Sequence, residues 1–197
     1  MSIRFIAAAL LAPLSAAALA QTAPATQPQL VPVAIETSAG RIVVDLDQTD
    51  APVTTANFLH YVDTHRYDGE SFYRAMHVGP GGLIQGGIRS NGLKLFPPIA
   101  HEPTSKTGLH HVAGAISMAN AGPGTARADF FILASDIPSF DATASDPGFA
   151  VFGHVAEGMD VVQKILASPV SPTAGEGAMK GEMLDPPVKI IKIERVK

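Results

Sequence analysis

SFYRAMHVGPGGLIQGG, residues 71–87, holds two apolar runs around a turn. Phe72, Leu83 and Ile84 are apolar, and Arg74 and Gln85 are the long polar side chains set among them. Gly79 to Gly82 supplies three glycines and Pro80, so the chain reverses or bulges there. A reversal brings Arg74 and Gln85 into one neighbourhood, and two apolar strands then present one cation and one amide. On its own, an arginine in a strand is ordinarily a solvated residue or half of a salt bridge. A second stretch downstream changes that reading.

GAISMANAGPGTARADFFI, residues 114–132, carries an apolar strand (Ala115, Ile116, Met118), a Gly122-Pro123-Gly124 loop and a Phe130-Phe131 strand. Together the two stretches resemble the cyclophilins, the peptidyl-prolyl cis-trans isomerases. The matching residues are Phe72-x-Arg74, Gln85-Gly86-Gly87, Ser117 through Pro123 and Phe130-Phe131-Ile132. Val151-Phe152-Gly153 and Gly158 through Val162 fit as well. The resemblance runs from about Val33 to Val196, and its motifs are long and ordered.

Working outward, 197 residues suggest one domain with a real core. At 46% hydrophobic and 16% charged, the composition is globular rather than disordered. A net charge of -4 with no basic patch argues against nucleic acid as the main partner. There is no cysteine, which removes disulfide and thiol chemistry. Residues 1–20 read as a secretory signal peptide: Arg4, then a short apolar run from Phe5, then Ala18-Leu19-Ala20 at the cleavage site. The run is short and alanine-rich for a membrane span; an uncleaved N-terminal anchor is the alternative. Residues 21–32, with three prolines, read as a flexible linker, and 33–197 as the folded domain.

Within the domain, Val33, Ile35 and Thr37 alternate, as do Ile42, Val44 and Leu46, which predicts a hairpin turning at Gly40. Asp50 before Ala51-Pro52 reads as an N-cap, opening a helix with Phe58, Leu59 and Val62 on one face. Ile99–Gly108, Ile137–Gly148 and Pro169–Gly181 read as loops. Met159, Val162, Ile165 and Leu166 share one face of a second helix. The closing strand's alternation slips between Ile190 and Ile191, which predicts a bulge or burial on both faces. Many short strands and two helices suggest a mainly β barrel closed at its ends by helices. The resemblance implies an eight-stranded antiparallel closed β-barrel capped by two α-helices, with an apolar interior and a substrate groove along its outside.

The chemistry the resemblance implies is rotation about X-Pro bonds. The barrier is about 18–20 kcal/mol because the amide nitrogen shares its lone pair with the carbonyl. When the amide twists, that nitrogen becomes pyramidal and can accept a hydrogen bond. A guanidinium, always charged and a rigid fork of donors, is suited to give it. The resemblance places that donor at Arg74 and its orienting amide at Gln85. Ala119 and Asn120 match the strand whose backbone binds the peptide, and Phe131 matches a wall of the proline pocket. Phe72, Leu83, Asp129, Phe140 and Phe149 complete the expected substrate contacts.

The sequence also departs from the family. Arg74 and Gln85 are eleven positions apart, a few more than usual. Gly82 stands where a wall aromatic is expected, Leu83 for its Met neighbour and Asp129 for a Gln. Ser139 stands where Trp is frequent, and Phe149 for a His. Phe140, Phe149 or His77 are candidates to refill the pocket, and Asp129 is expected to hold Arg74 directly by a charged hydrogen bond. His110 and His111 would face opposite ways in a strand, a poor metal site. No metal or cofactor is implied. The expected partners are proline-containing peptides and unfolded proteins met outside the cytoplasm, in the periplasm or after secretion, with no nucleic acid, no membrane once the signal is removed, and a monomeric protein. A non-catalytic proline-peptide binder or holdase on the same fold is the competing function.

Overall fold

The computed structural model describes residues 27–196. The expected signal peptide and the first half of the expected linker, residues 21–26, lie outside them. Two strands open the domain, β1 (Leu30–Thr37) and β2 (Gly40–Asp47). They pair through Thr37 and Gly40 across a two-residue turn. Thr37 Oγ1 accepts from the turn amides of Ala39 and Gly40, so one hydroxyl closes the hairpin. β1 starts at Leu30, three residues earlier than its alternation suggests, because Leu30 to Pro32 still pair with Asp45 to Asp47.

Helix α1 (Pro52–Asp63) follows, then β3 (Ser71–Val78) and β4 (Gly81–Gly87). A one-turn helix, α2 (Thr104–Thr107), lies inside the expected Ile99–Gly108 loop. Next come β5 (Ala115–Met118), β6 (Phe130–Leu133), β7 (Ala150–Glu157) and helix α3 (Met159–Leu166). The chain ends on the two-residue β8 (Val170–Ser171) and the long β9 (Met183–Arg195). The order around the sheet is β1-β2-β7-β5-β6-β4-β3-β9, and β9 returns to β1, so eight antiparallel strands close a barrel. β8 only adds to the outer side of β9. The barrel and its two longer helices are as the sequence suggests; α2 is a third helix, too short to carry a periodic signal.

Alternation explains the interior. Val33, Ile35, Ile42, Val44 and Leu46 point inward and are buried. Phe58 of α1 closes one end, its ring meeting Phe130 at 5.2 Å, Phe152 at 5.3 Å and Tyr67 at 5.1 Å. Each such ring contributes roughly 1.5–3 kcal/mol by leaving water. Tyr67 is buried too, and its hydroxyl donates to the Ala128 carbonyl at 2.8 Å, so no phenol is stranded in the core.

The start of α1 corrects one expectation. Its N-cap is Ala51, not Asp50, and no side chain of that turn caps it. The free donors of Val53 and Thr54 instead reach the carboxylate of Glu102, at 3.2 and 2.8 Å. Asp47 holds the preceding turn, accepting from Thr49 and Asp50. The cap is thus supplied from a remote loop.

β9 is irregular in two places. Against β1 the register slips so that Glu36 faces Lys192 and Thr37 faces Ile190. Ile191 is the extra residue, half-exposed between buried Ile190 and Ile193, which is the predicted bulge. Against β3, Phe72 faces Val188 but Arg74 faces Met183. The intervening stretch includes Pro186 and Pro187, which cannot donate to the ladder. That excursion sets the residues just before β9 beside Arg74.

Candidate functional site

The β3–β4 hairpin builds the charged half of the site. Val78 pairs with Gly81 around Gly79-Pro80, and the register carries Arg74 directly opposite Gln85. Between Phe72 and Arg74 the register shifts, leaving Tyr73 as an extra residue. A bulge re-aims the side chains that follow it, and here Tyr73 and Arg74 both face the outer groove. Phe72 faces inward: it is fully buried and meets Phe130 edge-on at 5.6 Å. The expected substrate contact at Phe72 is therefore corrected to a core residue.

Arg74 Nη1 donates to Gln85 Oε1 at 2.8 Å. Gln85 Nε2 donates to the Tyr73 hydroxyl at 2.7 Å, and that hydroxyl donates to Asp129 Oδ2 at 3.0 Å. Asp129 thus reaches Arg74 only through Tyr73 and Gln85, which corrects the expected direct bond. The direct carboxylate is Glu182, whose Oε2 accepts from Arg74 Nε and Nη2, both at 2.7 Å. Met76 Sδ takes a further Nη2 contact at 3.3 Å.

Burial, then the charge and hydrogen bond of Asp129, push the Tyr73 phenol well above its usual range, so it stays a neutral donor. Burial also raises the Asp129 carboxyl, against the pull of the Tyr73 bond and the Arg89 charge. The close approach of Asp129 needs Gly87, where an added Cβ would lie 2.0 Å from Asp129 Oδ1.

The apolar half lies beside it, on the outside of the barrel. Leu83, Ala115, Phe131, Leu133, Ile137 and Val151 form a cluster separate from the interior, with Met76, Ala119, Phe140 and Phe149 packed against it. Phe131, Phe140 and Phe149 make a mutual ring set: 5.8 Å for the first pair, 5.3 Å from Phe131 to Phe149 and 5.0 Å from Phe140 to Phe149. Phe140 and Phe149 therefore fill the wall. His77 is exposed and lies opposite Gly82, outside the pocket. Gly82 is no gap in that wall either: at φ 148°, its added Cβ would fall 1.9 Å from the Met76 carbonyl oxygen.

Behind Phe131 sits His111, buried and stacked on it at 6.1 Å and 17°. Its Nδ1 bonds Asp141 Oδ1 at 2.6 Å and its Nε2 bonds Ser117 Oγ at 3.0 Å. The carboxylate fixes the tautomer: Nδ1–H donates to Asp141, so Nε2 accepts from the Ser117 hydroxyl. His110 Nδ1 bonds the other oxygen of Asp141 at 2.8 Å. The two histidines are in a loop, not a strand, and converge on one carboxylate, contrary to the opposite facing expected of them. Burial lowers the His111 pKa, outweighing the pull of Asp141. Ser117 is fully buried, so this Ser-His-Asp chain braces the pocket and has no approach for a substrate.

The two halves share a groove of about 740 Å³. Arg74, Leu83, Gln85, Ala119, Asn120, Asp129, Phe131, Phe140 and Phe149 border it, and Phe72 does not. Asn120 Oδ1 accepts from Gly122 at 2.9 Å, while its buried Nδ2 has no hydrogen-bond partner among the described residues. Sequence reading missed Tyr73 and Glu182. The first was hidden by the bulge; the second lies between the expected Pro169–Gly181 loop and the closing strand, with no local signal of its own.

A family model described as cyclophilin type peptidyl-prolyl cis-trans isomerase/CLD matches residues 32–197. The peptidyl-prolyl cis-trans isomerase of Acinetobacter baylyi is 36% identical over 166 residues, covering 82% of this chain and 84% of that one. Peptidyl-prolyl cis-trans isomerase A of Dickeya dadantii is 39% identical over 137 residues, covering 68% and 70%. In fold, the chain is similar to a cyclophilin type isomerase of Cryptosporidium parvum, with TM-score 0.69, 20% identity and coverage of 86% and 99%. A second structure of that protein, determined in the presence of the dipeptide Ala-Pro, gives TM-score 0.67 at 21% identity, covering 84% and 99%.

Proposed function

The chain belongs to the cyclophilin-type peptidyl-prolyl cis-trans isomerase family, and on that premise we propose that it accelerates X-Pro rotation in unfolded or flexible polypeptides outside the cytoplasm, with Arg74 as the catalytic donor. The observation that carries the reading is a guanidinium pinned on two sides beside a pocket of three phenyl rings. The proline ring enters among Phe131, Phe140, Phe149 and Leu83, and the acyl side is left free to turn. The peptide runs along the backbone of Ala119 and Asn120, which border the groove.

As the amide twists, its nitrogen turns pyramidal and accepts from Arg74 Nη1, whose orientation Gln85 holds. No bond is made or broken; the protein binds the twisted amide better than the planar one. The site outside the cytoplasm rests on Arg4, the apolar run and Ala18-Leu19-Ala20.

Exchange spectroscopy on an X-Pro peptide tests the reaction. Acceleration over the uncatalysed tens to hundreds of seconds is expected, and binding without acceleration would leave only a peptide binder. Intact mass of protein from a periplasmic or secreted fraction tests the location. A chain starting near Gln21 is expected, and one retaining Met1 would support the anchor.

A further inference from the structure

The segment between β8 and β9 forms a compact strap. Ala174 donates to Ser171 Oγ at 3.2 Å, Gly181 donates to the Ala174 carbonyl at 2.9 Å and Glu182 to the Met179 carbonyl at 3.1 Å. Its fold needs Gly175, at φ 90°, where an added Cβ would lie 2.3 Å from the Met179 oxygen. The strap is tied to the active hairpin through its last residue. Ala75 N–H donates to the Glu182 carbonyl at 2.9 Å, one position beyond Arg74. Met179 reaches the groove rim, and Glu182 sends Oε2 to both Nε and Nη2 of Arg74.

We infer that Glu182 is a positioning residue for the isomerase reaction, aiming the Arg74 guanidinium at the twisted amide. The inference rests on the catalytic reading of Arg74. A guanidinium is a rigid plane, so gripping one edge fixes the other. Glu182 takes the Nε–Nη2 edge, Met76 Sδ takes a second Nη2 contact, and Gln85 takes one Nη1 hydrogen. What remains is a single Nη1 hydrogen. Gln85 alone is a one-point contact about which the long side chain can swing. Glu182 adds a two-donor grip anchored in the backbone of the neighbouring strand. Its carboxylate is partly shielded, at 26% exposure against 15% for Arg74, so solvent competes weakly for the pair. A misaimed donor loses rate steeply, because the lone pair exists only in a narrow range of amide twist.

The test is a double-mutant cycle read by exchange NMR, with rate and peptide affinity measured on the same samples. Glu182→Ala should lower kcat about tenfold, the size of one charge-assisted hydrogen bond, with little change in KM. Glu182→Gln, nearly isosteric and keeping the strap folded, should fall between it and the unmodified protein. The Arg74 Nε–H resonance should shift and broaden in both. In an Arg74→Ala background, Glu182→Ala should change nothing further. An equal loss in both backgrounds would make Glu182 merely structural and overturn the inference, as would full activity in Glu182→Ala. If Arg74→Ala lowers the rate while Glu182→Ala does not, this inference alone fails. If Arg74→Ala itself leaves the rate unchanged, the catalytic reading fails with it.

Discussion

Arg74→Ala separates catalysis from binding, and its size follows from the donors. Of the five N–H donors of a guanidinium, Glu182 takes two, Met76 one and Gln85 one. One Nη1 hydrogen is left for substrate. A hydrogen bond from a charged donor is worth about 1.5–3 kcal/mol, so its loss should cost roughly ten- to a hundredfold in kcat/KM. Ground-state affinity should change less, because the planar amide offers no lone pair.

The fold should survive. The Arg74–Glu182 pair lies on the groove outside the barrel interior, and breaking a partly exposed pair costs about 1 kcal/mol. That lowers the melting midpoint by about 2–4 °C in a domain of this size. Arg74→Lys should not restore the rate, since an ammonium cannot span Glu182 and Gln85 as a planar fork. The assay is cis-trans exchange on an X-Pro peptide by NMR, with affinity from the same titration. Turnover within twofold of the unmodified protein, in a folded Arg74→Ala variant, would refute the donor role. Equal losses of affinity and rate would instead favour the peptide-binding holdase.

Tyr73→Phe strips the shared partner from Gln85 Nε2 and Asp129 Oδ2; it should cost about 1–3 kcal/mol of stability and several-fold in turnover, checked by chemical unfolding alongside the exchange assay. Phe149→Ala opens the pocket wall and should raise KM roughly tenfold or more, because a buried phenyl contributes about 1.5–3 kcal/mol, while kcat per bound peptide changes less; an unchanged KM would place the proline elsewhere. Burial holds His111 below the ordinary histidine value of about 6.5, so the unfolded chain takes up a proton first as pH falls. Its stabilising contribution is present above that value and is lost on acidification. Asp141, which burial would raise, is brought down by the hydrogen bonds from His111 and His110 and acts in the same direction through the carboxylate range. The melting midpoint should therefore drop between pH 7 and 5, with a shallower drop near 6.5 in His111→Gln; a His111 imidazole titrating above 6.5 by NMR would contradict this.

The barrel was legible because its strands alternate and its hairpins carry glycine at the turns. The pairing of Arg74 with Gln85 was legible for the same reason: a reversal near Gly79 fixes the register between them. Phe72 was misplaced because the resemblance gave it together with Arg74 in one motif. Two residues apart in a regular strand, Phe72 and Arg74 would share a face; the extra residue Tyr73 sends one into the barrel and the other to the groove. A bulge leaves no composition signal, so it also hid Tyr73. Glu102 and Glu182 were out of reach for a different reason. Each acts across a long span of chain, on the α1 amides and on Arg74 respectively. Nothing local distinguishes a carboxylate that caps a distant helix from one that faces water.

The charged and apolar halves are not independent additions to the barrel, because β4 and β6 carry both. Gln85 pairs with Phe131 and Leu83 with Leu133, so the amide that orients the guanidinium and the ring that walls the pocket sit across one ladder step. The distance between donor and pocket is then set by the sheet rather than by flexible side chains. That matters for rate. Bringing exchange from about a minute to about ten milliseconds needs roughly 5–6 kcal/mol, and one charged hydrogen bond, at about 1.5–3 kcal/mol, supplies about a quarter to a half of it. The rest has to come from an apolar wall that desolvates the amide and grips the ring harder as the amide twists. In this chain that wall is Phe131, Phe140 and Phe149, braced from behind by His111 and Asp141. The departures at Gly82 and Ser139 need not weaken it, because the three rings close on one another without either position.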